Sequence, residues 1–265
     1  MKIRILIPVL VIFFILSPAQ AAPPKKPASK PVVTTSSTQA AASKILWDDW
    51  FILTLQGAVP AAYYNERCEL DAAGRWVYKN KTFKLEEGAI NEESLTAVAA
   101  SEPFLKPILF NFHSLAQSVE TLIDGTLQQD GTLIVKIIKN GQELPAIRKR
   151  INSEAFFSSL FPVLIHEKLQ KMKTGQTYSF QAILEDNLEV AFSPQPGSIQ
   201  LKPDDEFSKK THTKKIAVNH VGQLSIWYLE NSGLPLRIEF PTRKAMIDRT
   251  TKEKAEKFLQ SSTGK

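Results

Sequence analysis

The sequence predicts a mainly β protein: one large curved antiparallel sheet, a half-barrel, with one covering helix and a short C-terminal helix. Three observations predict it. Segments of alternating apolar and polar residues recur from Trp47 onward, turn dipeptides such as Asp130-Gly131 and Asn140-Gly141 separate them, and only two stretches carry a helical pattern. A twisted sheet of this length must close into a barrel or be covered on its concave side.

In chain order, Lys2 and Arg4 precede an unbroken apolar run from Ile5 to Leu16, and Ser17-Pro18-Ala19-Gln20-Ala21 ends in the small-x-small pattern of a cleavage site. Residues 1–21 are expected to be an export signal cleaved after Ala21, which places the chain in the periplasm or outside the cell. The apolar run is about a dozen residues, short of the roughly 20 that cross a bilayer as a helix, so membrane association is expected only if the signal is retained. The single cysteine, Cys68, is far from the cleavage point, so lipid attachment there and an internal disulfide are both excluded. Residues 22–46 read as a disordered linker, because Pro23, Pro24, Pro27 and Pro31 alternate with lysines and no apolar periodicity is present.

The folded domain is expected over residues 47–250. Trp50 to Gln56 and Ala61 to Leu70 flank a connection at Gly57, and Asp71-Ala72-Ala73-Gly74 turns the chain into Arg75 to Leu85. Further strands are expected at Leu105 to His113, Gln117 to Leu127 and Thr132 to Lys139. In the second half Tyr178, Phe180 and Ala182 share one strand face, as do Leu234, Leu236, Ile238 and Phe240, with Arg237 and Glu239 opposite. Ser159 is expected to cap a helix from about Leu160 to Met172, with Pro162 in its first turn and Lys173-Thr174-Gly175 ending it. Its apolar face, Leu160, Phe161 and Leu164, would cover the sheet. Residues 251–265 form the C-terminal helix and tail, with Thr251 to Gln260 read as a solvent-facing helix.

The formal charge of +6 and pI near 9.2 suggest a polyanion as partner, but the distribution argues otherwise. Residues 1–46 hold six basic residues and no acidic ones, and removing them leaves 27 Lys and Arg against 27 Asp and Glu in residues 47–265. The folded part is formally neutral, which argues against nucleic acid as a partner. Two local clusters remain, Arg148-Lys149-Arg150 and Lys209-Lys210 with Lys214-Lys215, and both read as solvated strand edges or loops.

No catalytic, metal or cofactor motif is present. His113, His166, His212 and His220 have no ligand spacing, and Asp48-Asp49 and Asp204-Asp205-Glu206 suit turns and caps better than a calcium loop. A buried structural thiol is expected at Cys68, because the flanking Glu66 and Glu69 disfavour a thiolate nucleophile.

Three segments carry a resemblance: Trp50 opening a strand before Gly57 and Tyr63-Tyr64; Lys173-Thr174-Gly175-Gln176-Thr177-Tyr178-Ser179-Phe180; and Trp227-Tyr228 followed by Ser232-Gly233-Leu234-Pro235-Leu236-Arg237-Ile238. Over residues 47–250 the chain resembles uncharacterised periplasmic half-barrel domains similar in fold to lipoprotein-carrier (Lol-type) proteins. That resemblance implies room for an acyl chain between sheet and helix. The sequence is therefore read as a non-enzymatic envelope protein that binds a lipid-like or apolar group, or a protein partner, in a pocket lined by Phe110, Phe112, Phe156, Phe157, Phe161 and Leu164. The alternatives are an accessory module of an envelope enzyme with no ligand of its own, and a cysteine hydrolase or transpeptidase using Cys68.

Overall fold

The structure, a computed structural model, describes residues 43–56, 59–86 and 88–263. The expected export signal, nearly all of the expected linker and the connection at Gly57 lie outside the described residues.

The first half is a meander in which each strand pairs with the next: β1 (Lys44–Leu55), β2 (Val59–Leu70), β3 (Arg75–Glu86), β4 (Ala89–Ala100), β5 (Pro107–Ala116), β6 (Val119–Leu127) and β7 (Thr132–Lys139). Three short strands follow, β8 (Gln142–Glu143), β9 (Ile147–Arg150) and β10 (Ala155–Phe157), then a 3-10 turn at Ser158–Leu160 and helix α1 (Phe161–Leu169). The second meander comprises β11 (Thr177–Ile183), β12 (Gln195–Leu201), β13 (Lys214–His220), β14 (Gln223–Leu229), β15 (Pro235–Phe240) and β16 (Ala245–Thr250). Helix α2 (Glu206–Thr211) connects β12 to β13, and α3 (Lys252–Thr263) follows β16.

Antiparallel pairing of β16 with β1, in the register Leu53 to Ile247, fuses the two meanders into one sheet of 16 strands. The order runs β10-β11-β12-β13-β14-β15-β16-β1-β2-β3-β4-β5-β6-β7-β8, with β9 also on β7; β10 and β11 alone pair in parallel. The chain passes from β9 at one end of the sheet to β10 at the other through residues 151–154. Five Cα steps reach at most roughly 18 Å, so the two ends lie side by side. Asn152 Nδ2 donates a hydrogen bond across this seam to Gln181 Oε1. The half-barrel thus curls almost into a barrel without a hydrogen-bonded closing pair of strands.

Side chains alternate across each strand, so one set points inward. Phe51, Tyr64, Tyr78, Leu95, Phe110, Ile123 and Val135 from the first meander meet Phe180, Ile199, Val218, Trp227, Ile238 and Ile247 from the second in a single core. Twice a phenylalanine faces a glycine across an antiparallel pair, Phe110 opposite Gly125 and Phe180 opposite Gly197. Each ring lies over its glycine: a Cβ on Gly125 would fall 1.9 Å from Phe110 Cε1, and one on Gly197 would fall 2.3 Å from Phe180 Cζ. Glycine is required at both places because no other residue leaves space for the ring.

Helix α1 lies inside the curl. Phe161, Pro162, Val163, Leu164, Ile165 and Leu169 are all buried, as expected for a helix apolar nearly all round. It is shorter than the sequence suggests, and Ser159 is not its cap. Leu160 takes the N-cap position, while Ser158 Oγ and Ser159 Oγ both donate to the carboxylate of Glu185, which also accepts from Ser159 N–H at 3.2 Å. This buried carboxylate holds the entry to α1 against the end of β11.

Several boundaries differ from those expected, each for an identifiable reason. β1 starts at Lys44, ahead of the Trp47 boundary, because Lys44 and Ile45 pair with Leu70 and Glu69. β4 was hidden because two of its inward positions, Asn91 and Glu93, are polar yet buried. Gln117 and Ser118 form the β5–β6 turn at positive φ, and Leu105 belongs to the turn before β5, also at positive φ. Helix α3 is not simply solvent-facing: Ala255 and Leu259 are fully buried where it packs on β1 and β2. The capping role expected for Asp204-Asp205-Glu206 falls to Asp205, whose side chain accepts from Ser208 N–H while Ser208 Oγ accepts from Asp205 N–H.

Candidate functional site

The parallel pairing of β10 with β11 sets Phe156 beside Ala182, and this places the aromatic residues of two distant segments together. Against them lie α1 and the turn over residues 101–106. The result is a cleft of about 620 Å³ walled by Phe104, Leu105, Phe156, Leu164, Tyr178 and Phe180, with Glu154, Ser179 and Gln181 as polar members. Gly197 forms part of the wall, and its missing side chain is what admits the Phe180 ring. Phe104 is 40% exposed at the rim, whereas Phe156 and Phe180 are buried in the floor. Lys168 Nζ stands 4.9 Å from the Tyr178 ring centroid and 5.9 Å from that of Phe104, so one cation borders the aromatic rim.

Of the six residues expected to form a pocket, Phe156 and Leu164 line this cleft. Phe161 lies just beneath, its ring 5.0 Å from that of Phe180 and 5.3 Å from that of Trp227. Phe110 and Phe157 pack edge to face at 5.3 Å in the deep core, with Phe192 5.8 Å from Phe110, and both are fully buried. Phe112 is buried between Leu95 and Ile123 on the inner face. Sequence reasoning missed Tyr178 and Phe180 as wall residues. The alternation of Tyr178, Phe180 and Ala182 was visible, but the parallel partner strand that completes the wall was not.

A second opening, about 730 Å³, lies at the seam and is lined by Lys106, Pro107, Leu127, Gln129, Arg150 and Ser153 among others. Asp130, Ile151 and Pro194 also line it, and it holds no aromatic side chain.

The interior also buries several polar side chains. Glu66 is buried and its carboxyl is pushed up to about 7 by burial, partly offset by the Tyr78 hydroxyl, with nearby Asp49 adding to the rise. Lys84 and Glu93 form an ion pair at 2.7 Å, both nearly out of solvent. Cys68 is fully buried; burial, then Glu66 and Glu69, push its thiol up to about 12. A thiol in that state supplies no nucleophile at neutral pH. His113 reaches Glu120 Oε1 at 3.1 Å, His166 contacts the Ser232 carbonyl, and burial pulls His220 down to about 4. Among the described residues no three His, Cys, Asp or Glu side chains converge as metal ligands, and no helix is long and apolar enough to cross a membrane.

No family model and no curated protein matches the chain. Solved structures similar to it include a β-barrel-like protein of domain of unknown function DUF1849 from Brucella abortus, at 13% identity and TM-score 0.49, covering 81% of this chain and 98% of that one. They also include a DUF1089 family protein from Pseudomonas aeruginosa, at 12% identity and TM-score 0.31, with the same coverage of 81% and 98%.

Proposed function

We propose that this chain is a non-enzymatic envelope protein, exported by its N-terminal segment, that holds the apolar part of a lipid-like molecule in the aromatic cleft between β10, β11 and α1. The observation that carries the reading is the cleft itself: about 620 Å³ with aromatic walls, and a rim phenylalanine left 40% exposed. A volume of this order suits a small ligand, with the aromatic walls meeting an apolar group and Glu154, Ser179 and Gln181 supplying polar contacts. Lys168 at the opening suits an acidic head group. The resemblance to lipoprotein carriers implies an acyl chain between sheet and helix. Phe110, Phe157 and Phe192 fill the deep core with their own rings, which leaves the margin of α1 as the place for the ligand.

Titration of the purified protein with a fluorescent fatty-acid analogue, followed by displacement with palmitate, tests this. Saturable binding in the micromolar range is expected, weakened about tenfold by Phe104→Ala, which removes rim surface already partly exposed and leaves the core intact. Absence of saturable binding, or equal binding by wild type and Phe104→Ala, would refute the reading.

A further inference from the structure

The sheet does not close, and one of its ends is β9, which pairs on one side only, with β7, in the register Thr132 to Arg150 through Val135 to Ile147. Its outer backbone groups have no strand partner among the described residues. Arg148 and Arg150 lie opposite Ile134 and Thr132 on the outer face and are exposed, while Ile147 and Lys149 lie opposite the buried Val135 and Leu133 on the inner face. Arg150 has one weak ion pair, 3.9 Å to Asp130 with both side chains largely in solvent. Arg148 and Lys149 have no ion-pair partner among the described residues. The 730 Å³ opening begins where β9 ends, lined by Arg150, Ser153 and Gln129 with Lys106 beyond, and Asp130 as its one acidic member.

We propose that the β9 edge receives an extended acidic segment of a partner protein as an added strand, whose end enters the seam opening. Two features on the same strand select this occupant. Unpaired backbone N–H and C=O groups are satisfied in register only by another strand. Arginines two residues apart on one face match carboxylates at alternate positions of that strand, the spacing at which cross-strand charge pairs form. A second copy of this chain is disfavoured, because antiparallel pairing of β9 with itself sets Arg and Lys against Arg and Lys. Polyanions such as nucleic acid or acidic lipid match the charge but leave the backbone edge to water. Cationic edges also guard against aggregation, yet a guard needs no opening alongside it.

The test uses the full chain and three labelled peptides of strand length: one alternating Glu with Val and Thr, the same peptide with Gln for Glu, and the acidic peptide N-methylated at alternate amides. Binding is read by fluorescence anisotropy. The acidic peptide is expected to bind at least about tenfold more tightly than its Gln counterpart, and to lose about tenfold against Arg148→Glu/Arg150→Glu. Since both arginines are exposed, an unchanged melting curve for that variant keeps the comparison valid. The N-methylated peptide, with its charges intact, is expected to bind no better than the neutral one. Equal binding of acidic and N-methylated peptides would overturn strand addition in favour of charge alone. Failure of all three to bind would overturn the proposal, as would binding only to acidic phospholipid vesicles. Fatty-acid binding in the aromatic cleft is measured separately, so the two readings fail independently.

Discussion

Replacing Glu66 by Gln should remove a specific dependence of stability on pH. In the folded protein the Glu66 carboxyl titrates at about 7, raised by burial from an ordinary value of 4.5 in the unfolded chain. A group whose folded pKa lies above its unfolded one adds stability that is complete below the unfolded value. That stability is lost as pH rises through the folded value. The window here runs from about 4.5 to about 7. At 1.36 kcal/mol per pH unit, the loss across it is roughly 3 kcal/mol. Gln keeps the shape but carries no proton equilibrium. Urea unfolding followed by tryptophan fluorescence, on wild type and Glu66→Gln, should therefore give similar midpoints at pH 4.5. By pH 8 the variant should lead by roughly 1 M urea, given the slopes usual for domains of this size. Because Asp49 also titrates above its ordinary range through burial, the wild type alone cannot isolate Glu66, and the difference between the two proteins is the quantity to follow. Parallel curves from pH 4.5 to 8 would show that Glu66 ionises as in water, and the account of the interior would be wrong.

Three further outcomes follow from the packing. Gly125→Ala places a methyl group 1.9 Å from Phe110, whose ring is held by Phe157 and Phe192, so a loss of about 1–3 kcal/mol is expected and Phe110→Leu in the same chain should recover part of it; an unchanged melting temperature in Gly125→Ala would refute the close packing. Lys84→Met should cost about 3–5 kcal/mol by stranding Glu93, whereas Lys84→Met/Glu93→Leu should recover most of that in denaturant unfolding; equal losses in both would show that the pair is not coupled. Glu185→Ala leaves the Ser158 and Ser159 donors unpaired at about 1–3 kcal/mol each, and hydrogen exchange should quicken at the start of α1 before the rest of the sheet; uniform exchange would refute a local anchoring role.

Much of the fold was legible along the chain. Asn140 and Gly141 both take positive φ in the β7–β8 turn, Asp130-Gly131 stands in the β6–β7 connection, and Cys68 is buried on an inward position. Each of these is a local property, decided by the backbone preferences of two residues or by a period of two. β4 was not legible, because Asn91 and Glu93 look like solvated residues in a one-dimensional pattern, and only their partners Glu86 and Lys84 show them to be inside. The cleft was half legible: Phe156 and Leu164 were identified, while Tyr178 and Phe180 were recognised as a strand face without the wall they complete.

By itself, then, the sequence determined the class of architecture, the Asp130-Gly131 and Asn140-Gly141 turns, the formally neutral charge of residues 47–265 and the burial of its one thiol. The tertiary structure alone decided that β16 pairs with β1, that β10 crosses the seam to run parallel with β11, and that α1 enters the curl. The physical reason is that periodicity records which face a side chain takes, whereas pairing depends on contacts between residues far apart in the chain. The free edge at β9 and the aromatic cleft both arise from those pairings, so each became visible only when the two ends of the sheet met.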